Sequence, residues 1–141
     1  MLRDLQAHEL AVHDRTRRPE DVGLPYIEAL KQDISGGNGH LLVAEEGGAI
    51  LGYASLILCV SMEDERDEVP YTHAYVGDLA VLAGQRGGGI GSALLAACED
   101  LSRKAGQRWI RLGVLAANDR ARAFYAREGY GEHLVTLEKP L

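Results

Sequence analysis

Residues 75–105 read YVGDLAVLAGQRGGGIGSALLAACEDLSRKA, and the fold of the chain turns on them. The stretch opens as an apolar run from Tyr75 to Leu82. It passes through a glycine cluster, Gly84 and Gly87-Gly88-Gly89-Ile90-Gly91. It closes with Ile90, Leu94, Ala97, Cys98, Leu101 and Ala105 at helical spacing. Arg103 and Lys104 stand where cations favour a helix C-terminus, and Gly106 is placed to end the helix. The unit is strand, glycine loop, helix N-terminus. Glycine lets the backbone approach a ligand closely, because no Cβ intervenes. The first turn of a helix presents unpaired N–H groups and a partial positive charge. Together they suit a phosphate or pyrophosphate, and Arg86 adds a full charge that pairs with phosphate oxygens. The alternative is a glycine-rich turn without a ligand, but a turn needs one or two glycines rather than this cluster.

Two common phosphate loops fail on spacing. The Walker pattern requires Lys-Ser/Thr after its last glycine, whereas Gly89 is followed by Ile90-Gly91. The dinucleotide fingerprint G-x-G-x-x-G fails because Ser92 and Leu94 occupy the third glycine's place in the two possible registers. What remains is Arg-x-x-Gly-x-Gly from Arg86 to Gly91, directly after a strand. It resembles the acyl-CoA pyrophosphate loop of the GNAT N-acetyltransferase superfamily. Asp78-Leu79-Ala80-Val81 before it and Ser92-Ala93-Leu94-Leu95 after it strengthen the resemblance. Two further stretches are similar to the same family. One is Ile50-Leu51-Gly52-Tyr53-Ala54 on a hairpin strand. The other is Asn118-x-x-Ala121-x-x-Phe124-Tyr125-x-x-x-Gly129-Tyr130, which resembles its Asn…Phe-Tyr…Gly-Phe signature.

At 141 residues the chain reads as one domain, residues 1–141, long enough for a sizeable core. An apolar share of 46% fits a globular protein. The net charge of −6 argues against general nucleic-acid or membrane binding and is weakly consistent with a cationic substrate. Cys59 and Cys98 are far apart, each in an apolar run. They read as buried, reduced core residues of a cytoplasmic protein. The five histidines form no metal-binding spacing, so no metal is expected. No signal peptide is evident, and no apolar run is long enough to span a bilayer.

Taken in order, residues 2–14 read as a helix, interrupted at 15–19. Residues 21–34 read as a second helix with Leu24, Ile27, Leu30 and Ile34 on one side and Pro25 in its first turn. A loop at 35–39 leads to a strand at 40–45. Glu46-Gly47-Gly48 forms a hairpin turn into a strand from Ala49 to about Val60. Residues 61–70 form an acidic connection, read as a solvated loop or as a rim that attracts a cationic substrate. The next strand covers 72–82. After the glycine loop and its helix, residues 107–115 alternate as a strand. Asn118 is placed to cap a helix at 119–128, ended by Gly129. Residues 130–137 read as a last strand.

This order is nearly that of GNAT proteins. The resemblance implies an α/β (α+β) fold with a mixed, mostly antiparallel sheet flanked by helices. GNAT domains begin with a strand before the first helix, and here that strand is not evident. An uncovered sheet edge invites pairing, so a homodimer is expected.

The family resemblance also implies roles. Acetyl-CoA is the expected cosubstrate, and a primary amine of a small molecule or peptide the acceptor. Backbone amides from Arg86, Gly87, Gly88, Gly89, Ile90, Gly91 and Ser92 would hold the pyrophosphate. Leu79, Ala80 and Val81 would pair with the pantetheine arm, where strands 72–82 and 107–115 part. Gly77 and Gly113 lie within those strands, where glycine marks a bulge, a close approach or merely a small residue. An amide near Leu79 or Ala80, freed by a bulge, would face the thioester oxygen. Tyr125 is the candidate acid for the departing thiolate, with core packing on Phe124 as the alternative. Asn118 would contact the cofactor, cap the helix, or both. Many GNAT enzymes carry a glutamate at positions matching Tyr75 or Gly77, and this chain has neither. Asp78 is the carboxylate on that strand and the candidate base. A structural role for it, with a water chain taking the proton, is the alternative. The helical N-terminal region and residues 118–125 resemble small-molecule acetyltransferases of the aminoglycoside or polyamine kind. A non-catalytic acyl-CoA-binding regulatory domain is the competing reading.

Overall fold

A computed structural model of the chain describes residues 5, 7, 9, 11, 18, 23–35, 38–62 and 69–141. Leu5, Ala7 and Glu9 are helical. The rest of the expected first helix, its interruption at 15–19, the start of the second helix and most of the acidic connection lie outside the described residues. The described order is helix α1 (Leu24–Ser35), strands β1 (Gly39–Glu46), β2 (Ala49–Ser61) and β3 (Thr72–Val81), helix α2 (Ile90–Lys104), strand β4 (Ile110–Leu112) and helix α3 (Asp119–Arg127).

The strands form one mixed sheet in the order β1-β2-β3-β4. The first two pairings are antiparallel and the β3–β4 pairing is parallel. Gly47 and Gly48 link β1 to β2 with φ of 58° and 82°. Positive φ at both central residues is what a tight hairpin turn with the sheet's own twist requires. No further strand borders β1 among the described residues.

Strand alternation assigns the two faces. Ala54, Leu56 and Val76 join Leu94, Leu95 and Cys98 in the core on the α2 side. Gly52 makes that packing possible: a Cβ there would lie 3.1 Å from both Ile90 and Leu94 side chains. Tyr53 and Ser55 point to the opposite face, over which α1 packs through β1 and β2. The α2 stripe differs slightly from its reading in sequence. Leu95 and Ser102 are buried while Ala105 is exposed, because the helix ends at Lys104 before Ala105 can reach the sheet. Leu24 is also exposed, at the first residue of α1 and beyond the sheet's reach.

Both later helices end as their sequences predict. Gly106 has φ 79°, with Gly106 N–H donating to Arg103 O and Gln107 N–H to Ser102 O, each at 3.0 Å. Gly129 has φ 90°, with Gly129 N–H donating to Ala126 O and Tyr130 N–H to Tyr125 O. Each pair is a Schellman closure, which needs a left-handed residue at that place.

Three expectations need correction. Cys98 is buried, and burial pushes its thiol up to about 11, but Cys59 is exposed on β2. The strand expected at 107–115 pairs only over Ile110–Leu112. The strand expected at 130–137 does not form. A three-residue β4 offers too short a ladder to template a neighbour. Side chains tie the segment down instead: Arg122 donates to Glu132 at 2.6 Å, and Arg111 lies 2.7 Å from His133 Nε2.

Candidate active site

The site lies where β3 and β4 part. Their pairing runs from Ala74–Ile110 to Val76–Leu112 and stops. Beyond it, β3 bulges. Ala54 faces Leu79 and Leu56 faces Val76, so β3 holds an extra residue at Gly77–Asp78. Gly77 is one of the two glycines that the sequence offered as a bulge or a close approach, and the bulge includes it. Ser55 fixes it, its Oγ accepting from the Asp78 N–H at 2.7 Å. Gly77 leaves room for that hydroxyl, since a Cβ there would come within 2.8 Å of it. Gly113 does the same for Tyr75, whose hydroxyl would lie 3.2 Å from a Cβ. Both glycines are close-approach positions.

Past the bulge, alternation decides which β3 amides face the opening. Leu82 N–H donates to Leu51 O at 2.9 Å, so even-numbered residues here bond back to β2. Leu79 and Val81 then present their backbone groups to the cleft. Arg86 confirms this, its Nε donating to Val81 O at 3.0 Å. Of the two amides considered from sequence, Leu79's is the one aimed at the opening.

One cleft, of about 390 Å³, runs from this edge to the glycine loop. Leu79, Ala80, Val81, Arg86, Gly87, Gly89, Gly91, Ser92, Asn118 and Tyr125 line it. Gly88 and Ile90 do not, and the Ile90 side chain packs against the core. Gly87 and Gly89 have φ of 88° and 86°, values an L side chain rarely adopts. Gly89 precedes α2 with no side-chain cap, and the first intrahelical bond runs from Ala93 to Gly89 O. The amides of Ile90, Gly91 and Ser92 therefore have no acceptor within the helix. Such a helix start suits an anion. Arg120 and Arg127, on α3, reach the same cleft. Sequence reasoning missed them; the signal was two arginines seven apart on a helix facing the glycine loop.

A second cleft, of about 430 Å³, opens on the other side of the strand gap and includes Glu9, Asp78, Gly113 and Tyr125. Tyr125, Leu79 and Asn118 line both clefts and so stand at their junction. Asn118 caps α3, its side chain accepting from Ala121 N–H at 3.1 Å, and remains on the cleft wall. Tyr125 packs against Phe124 and Tyr130, with ring centroids 5.3 and 6.1 Å away. Burial, then Glu9 and Tyr75, push its phenol up. It is therefore protonated throughout the neutral range and able to donate.

Asp78 sits at the rim of the second cleft. Burial pushes its carboxyl above the usual carboxylate range, while the hydroxyls of Tyr26 and Ser55 pull it back. Tyr26 and Glu9 also escaped the sequence reading, since nothing local marks a residue that reaches across from another element. Among the described residues no three His, Cys, Asp or Glu side chains gather to hold a metal.

This geometry meets its family in the comparison with known proteins. The family model described as "Acetyltransferase (GNAT) family" matches residues 5–130, and the chain belongs to that family. It is an acyltransferase by fold and family. The BH1408 protein from Bacillus halodurans, solved as a mutant, is similar at 27% identity with a TM-score of 0.83, over 99% of this chain and 86% of that one. An acetyl transferase structure from Pyrococcus furiosus shares 27% identity with a TM-score of 0.71, over 99% and 91%. Aminoglycoside N-acetyltransferase AAC(6')-Iy, solved in complex with CoA, shares the fold at 17% identity and a TM-score of 0.61, over 84% and 93%. No curated protein matches the chain.

Proposed function

We infer that this chain is an acetyl-CoA-dependent N-acetyltransferase acting on a primary amine of a small molecule or peptide, within one domain. The observation that carries the reading is the opening past Val76 and Leu112, which joins an uncapped helix N-terminus to Tyr125 and Asp78. The donor set fits coenzyme A. The α2 amides with Arg86 suit its pyrophosphate, and the edge of Leu79 and Val81 that faces the cleft suits an amide-bearing arm lying along the strand.

In the proposed reaction both substrates are bound together. Asp78 takes a proton from the acceptor ammonium. The neutral nitrogen attacks the thioester carbonyl, and Leu79 N–H faces the oxygen that gains charge. The C–S bond breaks with its electron pair going to sulfur, the Tyr125 hydroxyl supplies sulfur's proton, and the second proton leaving the acylated nitrogen restores the phenol, so that the one proton released overall is the one taken by Asp78. The phenol keeps its proton at neutral pH, so a donor is in place when the thiolate forms.

The aminoglycoside enzyme among the structural neighbours supports a small-molecule acceptor, as does the carboxylate-bearing second cleft. Thiol release from acetyl-CoA, measured across a panel of aminoglycosides, polyamines and peptide amines, tests the reading. We expect turnover with at least one cationic small-molecule amine. Release with none of them would overturn it.

We also propose a cytoplasmic homodimer. The two free cysteines suit a reducing compartment, and β1's outer edge, uncovered by a strand among the described residues, suits pairing with a second copy. Light scattering at high concentration should give a dimer mass; a monomer mass would refute the assembly.

A further inference from the structure

Asp78, on the wall of the second cleft, is held by a residue from outside that wall. Tyr26, on α1, donates its hydroxyl to both carboxylate oxygens of Asp78, at 2.9 and 2.8 Å. The two residues are 52 positions apart. Asp78 itself is on the bulge that Ser55 pins through the Asp78 amide. The carboxylate is thus fixed at its backbone by β2 and at its oxygens by α1. A carboxylate held from two elements loses the rotamer freedom that an exposed aspartate keeps.

We propose that Tyr26 is the positioning residue of this acyltransferase, holding the Asp78 carboxylate toward the acceptor amine and keeping it ionised to take the ammonium proton. The proposal rests on the N-acetyltransferase reading above. The proton step is simple: one Asp78 oxygen gains the proton, the ammonium becomes a neutral amine, and the phenol keeps its own proton. Tyr26 can stay a donor because burial first, then Asp78, push its pKa far up. Bonding to the charged form favours that form.

Other groups face the same carboxylate. Tyr53, on β2, is 9% exposed, and its hydroxyl has no partner among the described residues. Asp78, Tyr26 and Glu9 each add to the burial that raises its phenol. Glu9 and Tyr125 line the cleft with Asp78, and Tyr75 acts on Tyr125 from β3. Burial holds the phenols of Tyr26, Tyr53 and Tyr125 in their protonated form. The Ser55 hydroxyl also favours the charged form of Asp78, and Tyr26 is the group that donates to both carboxylate oxygens.

The sign follows. Asp78 must be ionised to act, so kcat/KM is lost as pH falls through its pKa. Removing the Tyr26 hydroxyl removes stabilisation of the carboxylate, and the pKa rises. In Tyr26→Phe the acidic limb should move up by about one to two pH units, the worth of a hydrogen bond to a charged group. KM for acetyl-CoA should stay near its wild-type value. Asp78→Asn should abolish the limb, and Tyr26→Phe added to Asp78→Asn should cost no more than Asp78→Asn alone.

The experiment is the pH profile of kcat/KM for the wild-type chain, both single variants and the double variant, with an amine that the panel identifies. An upward shift in Tyr26→Phe, lost in the Asp78→Asn background, supports the proposal. A lower rate with an unmoved limb makes Tyr26 merely structural and overturns it. An acidic limb that survives in Asp78→Asn overturns it too, whether or not Tyr26→Phe folds. A wild-type chain inactive on every amine overturns the acetyltransferase reading and the positioning role together. Activity without the shift overturns the positioning role alone.

Discussion

Replacing Tyr125 by phenylalanine should lower turnover by about 10²–10⁴-fold, the usual range for a lost general acid, with coenzyme A affinity nearly unchanged. The ring is retained, so its packing between Phe124 and Tyr130 survives, and only the hydroxyl at the junction of the two clefts is lost. Without it the thiolate, with a pKa near 8.5 by analogy with cysteine, must leave unprotonated into a half-buried cleft. The variant's stability should change little, because the ring and its packing are kept. The measurement is single-turnover acetyl transfer alongside calorimetric coenzyme A binding. Near-normal turnover, with chemistry shown to limit the rate, would reduce Tyr125 to a packing residue.

An aspartate at Gly89 should abolish coenzyme A binding while leaving the domain folded. Nothing lies within 4 Å of a Cβ built at Gly89, so the obstacle is not crowding. The backbone there is left-handed, at φ 86°, and Asp is among the few side chains that tolerate that region. Its carboxylate would then sit where a helix N-cap acceptor sits and would bond the α2 amides itself. The helix is satisfied, and the anion site is filled by the protein's own charge. Gly91→Asp should have the same effect by a different route, since a Cβ at that position would lie 3.3 Å from Phe124 Cζ. Calorimetry should detect no coenzyme A binding in either variant. Unchanged affinity in both would remove the glycine loop from the site.

The helices after the glycine loop were legible because their signals are local. Gly106 and Gly129 each stand one place past a helix C-cap, where a left-handed residue closes it, and Asn118 stands where the cap must be. The Tyr130–Leu137 stretch shows the limit of the same reasoning. Its composition favours extended backbone, but a strand needs a neighbour's free edge, and β4 offers three residues. Cys59 misled for a similar reason. Alternation along β2 says that neighbouring side chains take opposite faces, not whether anything covers the face near the strand's end.

The sequence by itself determined the strand–loop–helix unit, its uncapped helix N-terminus and the tyrosine helix, since each is written in glycine placement and helical spacing within about 30 residues. Its family resemblance also narrowed the candidate oxyanion donor to two amides. Only the tertiary structure chose between them, because which amides face the cleft depends on the hydrogen-bond register with β2 and on a bulge fixed by Ser55, 23 residues from Asp78. It alone brought Tyr26 to Asp78 across 52 positions and set Tyr125 where two clefts meet. Spacing within one element is carried by the chain's own geometry. Contact between elements is decided by how the sheet and helices pack, and no local pattern encodes it.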